Sequence, residues 1–390
     1  MKNKLSIITL LGLILGVIFG LVLPQYTEAI NFIGTFYITF LKYMIVPVVF
    51  TSISVSIYNS RNLENKLVLK TIIIFVLMFI ATFLLTSLIT LLLNPSRGFI
   101  FEDVIWSGTT TEINILGILS NLIPKDLNKF LTGSYLFFVI IISVITGYLC
   151  SLFNNGDKVI NIISKIKEFL FKILEYFMYL TPIAVFSLIA NTIAKYGSIL
   201  LGVGFRYIVT AYICGIATLL FVMILPILLI CKMSPSTFIK KVNKIWLMTV
   251  STCSSSATLP YTIKTCNEDF NIPSNITDVV VPLGCTIHMC GGAVSFALLG
   301  IFCSKLFNVD ITLSRYLLMI ISSVLINMSA PGIPNGGVVI GATYLQLLGI
   351  PLDFIGFYSG IYKLLDMLYT SLNVTGDITA NVIINSLDNK

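Results

Sequence analysis

Apolar positions along the chain gather into long runs separated by short polar joints. Plausible membrane spans fall near residues 5–23, 29–58, 68–94, 135–154, 168–193, 200–231, 276–304 and 354–384. Several exceed the roughly 20 residues that cross a hydrocarbon core, which predicts tilt, kinks or extension beyond the bilayer. Residues 104–132, VIWSGTTTEINILGILSNLIPKDLNKFLT, are polar and weakly amphipathic and read as a loop with a short helix. Two further apolar segments fit no simple span. One, about 244–264, contains STCSSSATLPYT; the other, about 314–350, contains NMSAPGIPNGGVV. Each joins two short apolar arms through Ser, Gly and Pro. Backbone freed in this way is tolerated at membrane depth only when packed in protein or lining a wet cavity. A pair of interrupted segments points to the binding site of a secondary transporter; a Pro-kinked ordinary helix is the competing reading.

Composition narrows the class. Of 390 residues, 57% are hydrophobic and 11% charged, too few charges to wet a soluble surface. The net charge of +7 is no sign of nucleic-acid binding, because Lys and Arg concentrate in short loops. Lys2 and Lys4, then Arg61, Lys66 and Lys70, then Lys158, Lys165 and Lys167, then Lys232, Lys240, Lys241 and Lys244 form four basic groups. They alternate with loops poor in Lys and Arg, which places both termini in the cytoplasm. The N-terminal MKNKLSIITLLGLILGVIFGLVLP reads as a retained signal anchor, since no A-x-A-like cleavage site follows. The eight cysteines fall mostly in apolar segments without C-x-x-C spacing, and read as small buried side chains. N-x-S/T matches at Asn275, Asn327 and Asn373 lie in or beside membrane segments and carry no glycosylation signal.

The chemistry concentrates in the last span. In LLDMLYTSLNVTGD, residues 364–377, Asp366, Tyr369, Thr370, Asn373 and Asp377 share roughly 100° of helix arc. A carboxylate at a membrane-helix centre costs about 2.5–3.5 kcal/mol, so a polar face of this kind belongs to an interior or a water-filled cavity. Such acids hold an ammonium group, a metal ion or a proton; a structural stripe between helices is the alternative.

The order SSSATLP, a polar motif in the next span, APGIPNGG and then LDM…T…NVTGD resembles the glutamate transporter family, the dicarboxylate/amino acid:cation symporters. The likeness runs through essentially the whole chain, including IVPVVFTS in the second span and LTPIAVFSLIA in the fifth. It implies an all-α polytopic membrane protein with eight transmembrane helices and two re-entrant helical hairpins. It also implies a homotrimer in a bacterial inner membrane, working as an elevator. Residues 1–67 and 135–199 would form the scaffold (spans 1, 2, 4 and 5). Residues 68–134, with span 3 and an extracellular connection, and residues 200–390 would form the transport domain. Asp366 would meet the substrate ammonium. Asn373, Thr370 and the serine run Ser254, Ser255 and Ser256 would hold its carboxylate. Gly292 and Tyr369 would border the side-chain pocket, and Gly332, Ile333, Pro334 and Gly337 the extracellular gate. Asp377, with carbonyls of Gly284 and Asn373, would bind sodium, and a second sodium would sit near Thr286, Asn327, Met328 and Ala330. Hard oxygen ligands suit that ion.

Departures from the family pattern shape the substrate expectation. Acidic-substrate members carry Arg where Tyr369 stands, and some carry one at the position of Cys253; a guanidinium is the natural partner of a carboxylate. Arg315, outside both motifs, is the only arginine after residue 206. The expected substrate is therefore a small or medium neutral amino acid. The alternative is an acidic substrate with Lys363 as counter-charge, although such a lysine also snorkels or pairs locally. In TIHMCGGA, residues 286–293, His288, Cys290 and Gly292 replace the usual Asn, Asp and Thr. The usual Asp serves a third sodium with a Thr-Ser pair in span 3, where register puts Met78 and Phe79. Loss of that site predicts altered coupling. His288 either substitutes a protonated imidazole for the lost cation or is a neutral core histidine. No cofactor is expected beyond the transported sodium and/or proton. The partners are the amino acid and membrane lipid, without nucleic acid. A substrate-gated anion conductance on the same fold is a second class. An intramembrane enzyme is disfavoured, because no base lies close in sequence to activate the CSSS run.

Overall fold

A computed structural model of the chain describes residues 2–59, 66–98, 136–153, 155–196, 199–327 and 336–388. Those residues are helical, without a strand among them. The connection at 104–132 and the gate residues Gly332, Ile333 and Pro334 lie outside them, as do Met328 and Ala330. The chain opens with α1 (Lys2–Val22), α2 (Thr27–Asn59) and α3 (Lys66–Leu93). After α4 (Leu136–Leu152) come α5 (Gly156–Phe177) and α6 (Thr181–Tyr196). Next are α7 (Ile199–Thr218), α8 (Leu225–Cys231), α9 (Pro235–Thr252) and α10 (Ser255–Lys264). The remainder is α11 (Ser274–Ile287), α12 (Cys290–Leu306), α13 (Leu313–Asn327), α14 (Gly336–Leu347) and α15 (Ile355–Asp388).

Residues 66–93, 201–231 and 274–306 are each long and apolar enough to cross a bilayer alone. Large apolar side chains such as Leu77, Leu92, Phe205 and Leu229 stand exposed on these and neighbouring helices, as lipid-facing surfaces require. The expected single span at 168–193 is instead two helices, α5 and α6, broken by a 3-10 turn at Met178–Leu180. Pro182 explains the break: it has no N–H to continue a helix but fits the first turn of a new one. The expected span at 276–304 is also interrupted, at His288 and Met289. Between α7 and α8 the helix widens into a π turn, Leu219–Ile224, immediately ahead of Pro226, whose ring and missing N–H disturb the regular ladder.

Helix packing falls into two groups. In the first, α2 lies against α4, α5 and α6, and α1 runs along α6. The α1–α6 contact comes from a glycine at every fourth position. A Cβ at Gly16 would meet the Phe186 carbonyl oxygen at 2.7 Å, and one at Gly20 would meet that of Ala190 at 2.5 Å. Small residues let two membrane helices approach backbone to backbone where no hydrophobic drive exists between them. In the second group, α3 and α7–α15 enclose the largest core, with α15 at its centre against α7, α9, α11 and α12. Polar pairs tie α15 in place. Trp246 Nε1 donates to Thr375 Oγ1 at 2.9 Å, Thr249 and Ser371 hydroxyls meet at 2.7 Å, and Asn381 Nδ2 donates to Thr277 Oγ1 at 3.1 Å. The groups meet where α6 and α1 touch α15 and α2 touches α14.

Gly16→Leu should force α1 off α6, at a cost of about 1–3 kcal/mol from overpacking. A lowered unfolding temperature of the detergent-solubilised protein, with α15-centred contacts retained, is the expected readout; an unchanged melt would mean that the close approach is dispensable.

Candidate functional site

Three interrupted segments converge on the middle of α15. In the first, α9 ends at Cys253, whose φ of 47° turns the chain into a left-handed conformation. Ser254 then caps α10, its side chain accepting from Ala257 N at 3.2 Å. This cap is what makes the serine run a helix start rather than a continuous span. In the second, α11 closes with His288 N donating to Gly284 O at 2.8 Å, and α12 begins two residues later. The N–H of Gly291, in the open first turn of α12, donates to Asn373 Oδ1 at 2.8 Å. Only glycine fits there, because a Cβ at Gly291 would lie 2.5 Å from Tyr369 Cα. The third segment is α13 and α14, which pack on each other and flank residues 328–335.

On α15, Asp366, Tyr369, Thr370, Asn373 and Asp377 are all buried. Thr370 Oγ1 lies 3.3 Å from Asp366 Oδ1. A cavity of about 50 Å³ is bordered by four of these, Asp366, Tyr369, Thr370 and Asn373. Ser254 and Ser255 from the α9–α10 break, Gly292 from α12 and Gly337 from α14 complete the expected set. Asn327, expected beside a cation, also lines this cavity. Among the described residues, Asp366 is its only charged lining residue.

Not every expected residue is drawn in. Ser256 is exposed and instead takes a 3.8 Å contact from Cys285 Sγ. Thr286 is exposed on α11, its hydroxyl donating to Leu283 O at 2.8 Å. Conversely, Tyr362 and Ser295 line the cavity without having been singled out. Tyr362 stands one turn before Asp366 and continues the same helical stripe, a signal available in the spacing. Ser295 stands three residues after Gly292 on the face of α12 that meets α15, visible only once α12 is seen to start at Cys290. Lys363 pairs locally: Nζ donates to Cys253 Sγ at 3.0 Å, which sets an ammonium behind a residue of the cavity wall.

Below the cavity lies a second cluster. Asp377 Oδ1 is 2.9 Å from His288 Nδ1, and His288 Nε2 is 3.1 Å from Cys290 Sγ. With the Nδ1 proton directed at the carboxylate, Nε2 accepts from the thiol, so one neutral tautomer satisfies both contacts. The three groups form a chain rather than a shell, and no metal-binding cluster of His, Cys, Asp and Glu occurs among the described residues. The imidazole stacks on Phe75 of α3 at 4.3 Å between ring centroids, with an interplanar angle of 4°. Met78 and Phe79 are buried beside it in the same core. Gly284 faces Asp377 so closely that a Cβ would lie 2.7 Å from the carboxylate carbon. A carboxylate 1% exposed and bonded by one imidazole still calls for a positive charge.

The upper cavity has the donors and the acid to hold a zwitterion, and the lower cluster has an acid for a cation. A helical membrane protein with both at the breaks of its helices is a solute carrier. The chain belongs to the sodium:dicarboxylate symporter family, whose model matches residues 5–387. It is 25% identical to a proton/glutamate-aspartate symporter of Bacillus subtilis (strain 168), over 98% of this chain and 95% of that protein. It is 25% identical to a proton/sodium-glutamate symport protein of Geobacillus stearothermophilus, over 96% and 92% respectively. A proton/glutamate-aspartate symporter of Escherichia coli (strain K12) is 24% identical over 100% of this chain and 94% of its own length. Family and relatives are transporters, not enzymes.

Gly284→Ala should drive a methyl group into the Asp377 carboxylate and separate it from His288. Breaking a buried pair of this kind costs about 3 kcal/mol. Thermal unfolding should register that loss, whereas Ala at exposed Thr286, two residues on, should leave the melt within about 0.5 kcal/mol of the parent.

Proposed function

We propose that this protein is a cation-coupled symporter of a small or medium neutral amino acid, in a bacterial plasma membrane with both termini cytoplasmic. The observation that carries the reading is the buried cavity whose sole charged wall among the described residues is Asp366. One carboxylate balances one ammonium. Thr370, Asn373 and the capped serine turn supply neutral donors for the substrate carboxylate. Tyr369 stands where a side-chain carboxylate would need a cation, and a phenol offers none.

A second reading, an acidic amino acid substrate, is favoured by a specific contact. Lys363 reaches Cys253, the position at which some relatives carry Arg, and the curated relatives are glutamate or glutamate-aspartate symporters. Lys363 would then act as the counter-charge through the cavity wall.

For the cation, Asp377 with carbonyls of Gly284 and Asn373 takes one sodium; a second sits near Thr286, Asn327, Met328 and Ala330. The space of a third is filled by Phe75, His288 and Cys290, whose thiol and imidazole are poor sodium ligands. A proton on His288 is the alternative coupling ion, supported by its contact with Asp377. Scaffold segments 1–67 and 135–199 form a homotrimer, and segments 68–134 and 200–390 carry the substrate across as an elevator. The two packing groups and the glycine-lined α1–α6 contact support that division.

Purified protein in proteoliposomes tests these statements. Neutral amino acids should compete for uptake and glutamate should not; the reverse result, abolished by Lys363→Met, would establish the acidic reading. Asp366→Asn should remove amino acid binding altogether, and Tyr369→Arg should move preference towards aspartate and glutamate. Replacing sodium by choline should stop uptake. If an inward proton gradient then restores it, His288 carries the coupling; strict sodium dependence that ignores pH would sink the proton role.

A further inference from the structure

Within the cavity one polar atom is left over among the described residues. Asn327 is 1% exposed, and its side-chain Oδ1 has no hydrogen-bond partner. Tyr369 is 3% exposed, and its hydroxyl has those of Tyr207 and Ser295 as neighbours. Both residues line the same cavity, with the Ser295 hydroxyl in the wall between α12 and α15. A buried polar atom without a partner is destabilising, so Asn327 Oδ1 at the cavity wall marks a place where a ligand supplies the missing bond.

Gly292 explains how Asn327 comes to face inward. A Cβ at Gly292 would run into Asn327 Oδ1, so the Thr that the family pattern has at this position would turn this side chain away from where it now stands. The glycine and the asparagine therefore form a matched pair. Ser295 Oγ is engaged with Tyr358 OH at 2.8 Å, and the Tyr369 hydroxyl has Tyr207 beside it, which leaves Asn327 Oδ1 as the unused group. An amide oxygen only accepts, so its partner must bring a proton. An apolar side chain would leave it unpaired. A side-chain carboxylate would set acceptor against acceptor.

Resting on the symporter reading above, we propose that Asn327 recognises the substrate's side chain, and that the preferred substrate is a neutral amino acid whose side chain donates a hydrogen bond. Serine and threonine are the class members that suit a small cavity. Asn327 is here a specificity residue acting through its carboxamide.

The test compares pairs that differ by one hydroxyl, using the full-length protein in proteoliposomes with competition against labelled substrate. Serine should compete better than alanine, and threonine better than valine, by roughly ten-fold or more, because the site rejects the analogue that leaves its polar groups unpaired. Asn327→Leu should bring the serine-to-alanine ratio towards one. A purely structural role would instead weaken both amino acids together. Equal competition by serine and alanine in the parent protein overturns the inference while leaving the symporter reading intact, and that comparison needs no variant to fold. A preference for aspartate overturns it in favour of the acidic reading. If Asn327→Leu shifts sodium dependence with an unchanged serine-to-alanine ratio, Asn327 serves a cation and the inference falls. Absence of binding by any amino acid removes the symporter reading and this inference with it.

Discussion

A carboxylate held at 1% exposure in the middle of a 34-residue helix, Asp377 on α15, sets the terms for everything packed around it. In a low-dielectric interior an acid cannot stay ionised without a donor and a positive charge nearby. Three helices are shaped to provide for it. The side of α11 that meets the acid has no side chain at Gly284, α12 starts late enough to free His288, and α3 lays Phe75 flat on the imidazole. A bulkier group at any of these points would push the acid away from its partner. Because α15 also carries Asp366 three turns earlier, whatever fixes Asp377 also fixes the register of the upper cavity.

Interrupted helices solve the complementary problem of the backbone. Two breaks, after Thr252 and after Ile287, point helix ends at one side of α15. Free N–H groups in a first turn are costly in lipid and useful beside an anion, as the Gly291–Asn373 bond illustrates with a neutral acceptor. The breaks are thus where an otherwise sealed bundle has polar groups to offer. The rest of α15, pinned through Thr375, Ser371 and Asn381, keeps that side rigid.

Much of this was legible in the sequence, for reasons of period and spacing. The stripe on α15 follows directly from 3.6 residues per turn, and the two apolar segments split by Ser, Gly and Pro do fall on helix pairs. What escaped depended on contacts that cross elements. Tyr362 continues the stripe and was available; Ser295 needed the true start of α12. Met78 and Phe79, the residues that register sets at the place of the family's Thr-Ser pair, are buried on α3, yet nothing in the spacing singles out Phe75 as the residue that meets His288. The split between α5 and α6 was hidden because hydropathy ignores the missing N–H of Pro182. The reach of Lys363 to Cys253 depends on two residues 110 positions apart, beyond any local pattern.

The departures from the family pattern make sense together rather than singly. Two of the departures expected from the family pattern, Tyr369 for an arginine and Cys290 for an aspartate, bear on charge. The arginine answers a substrate carboxylate, and the aspartate belongs to a further cation. Replacing both removes one positive and one negative charge from the transport site, so the fixed charge around the cavity is unchanged. Under the proposed neutral-substrate reading, the substrate would bring one negative charge fewer, and one cation fewer would be needed to carry it across a membrane potential. Replacing only the arginine would strand a cation site beside a neutral substrate. Replacing only the aspartate would leave the guanidinium unbalanced in a cavity of low dielectric, at a cost of several kcal/mol. The stacking of His288 on Phe75, in the space such a cation would otherwise need, is the packing counterpart of that charge balance.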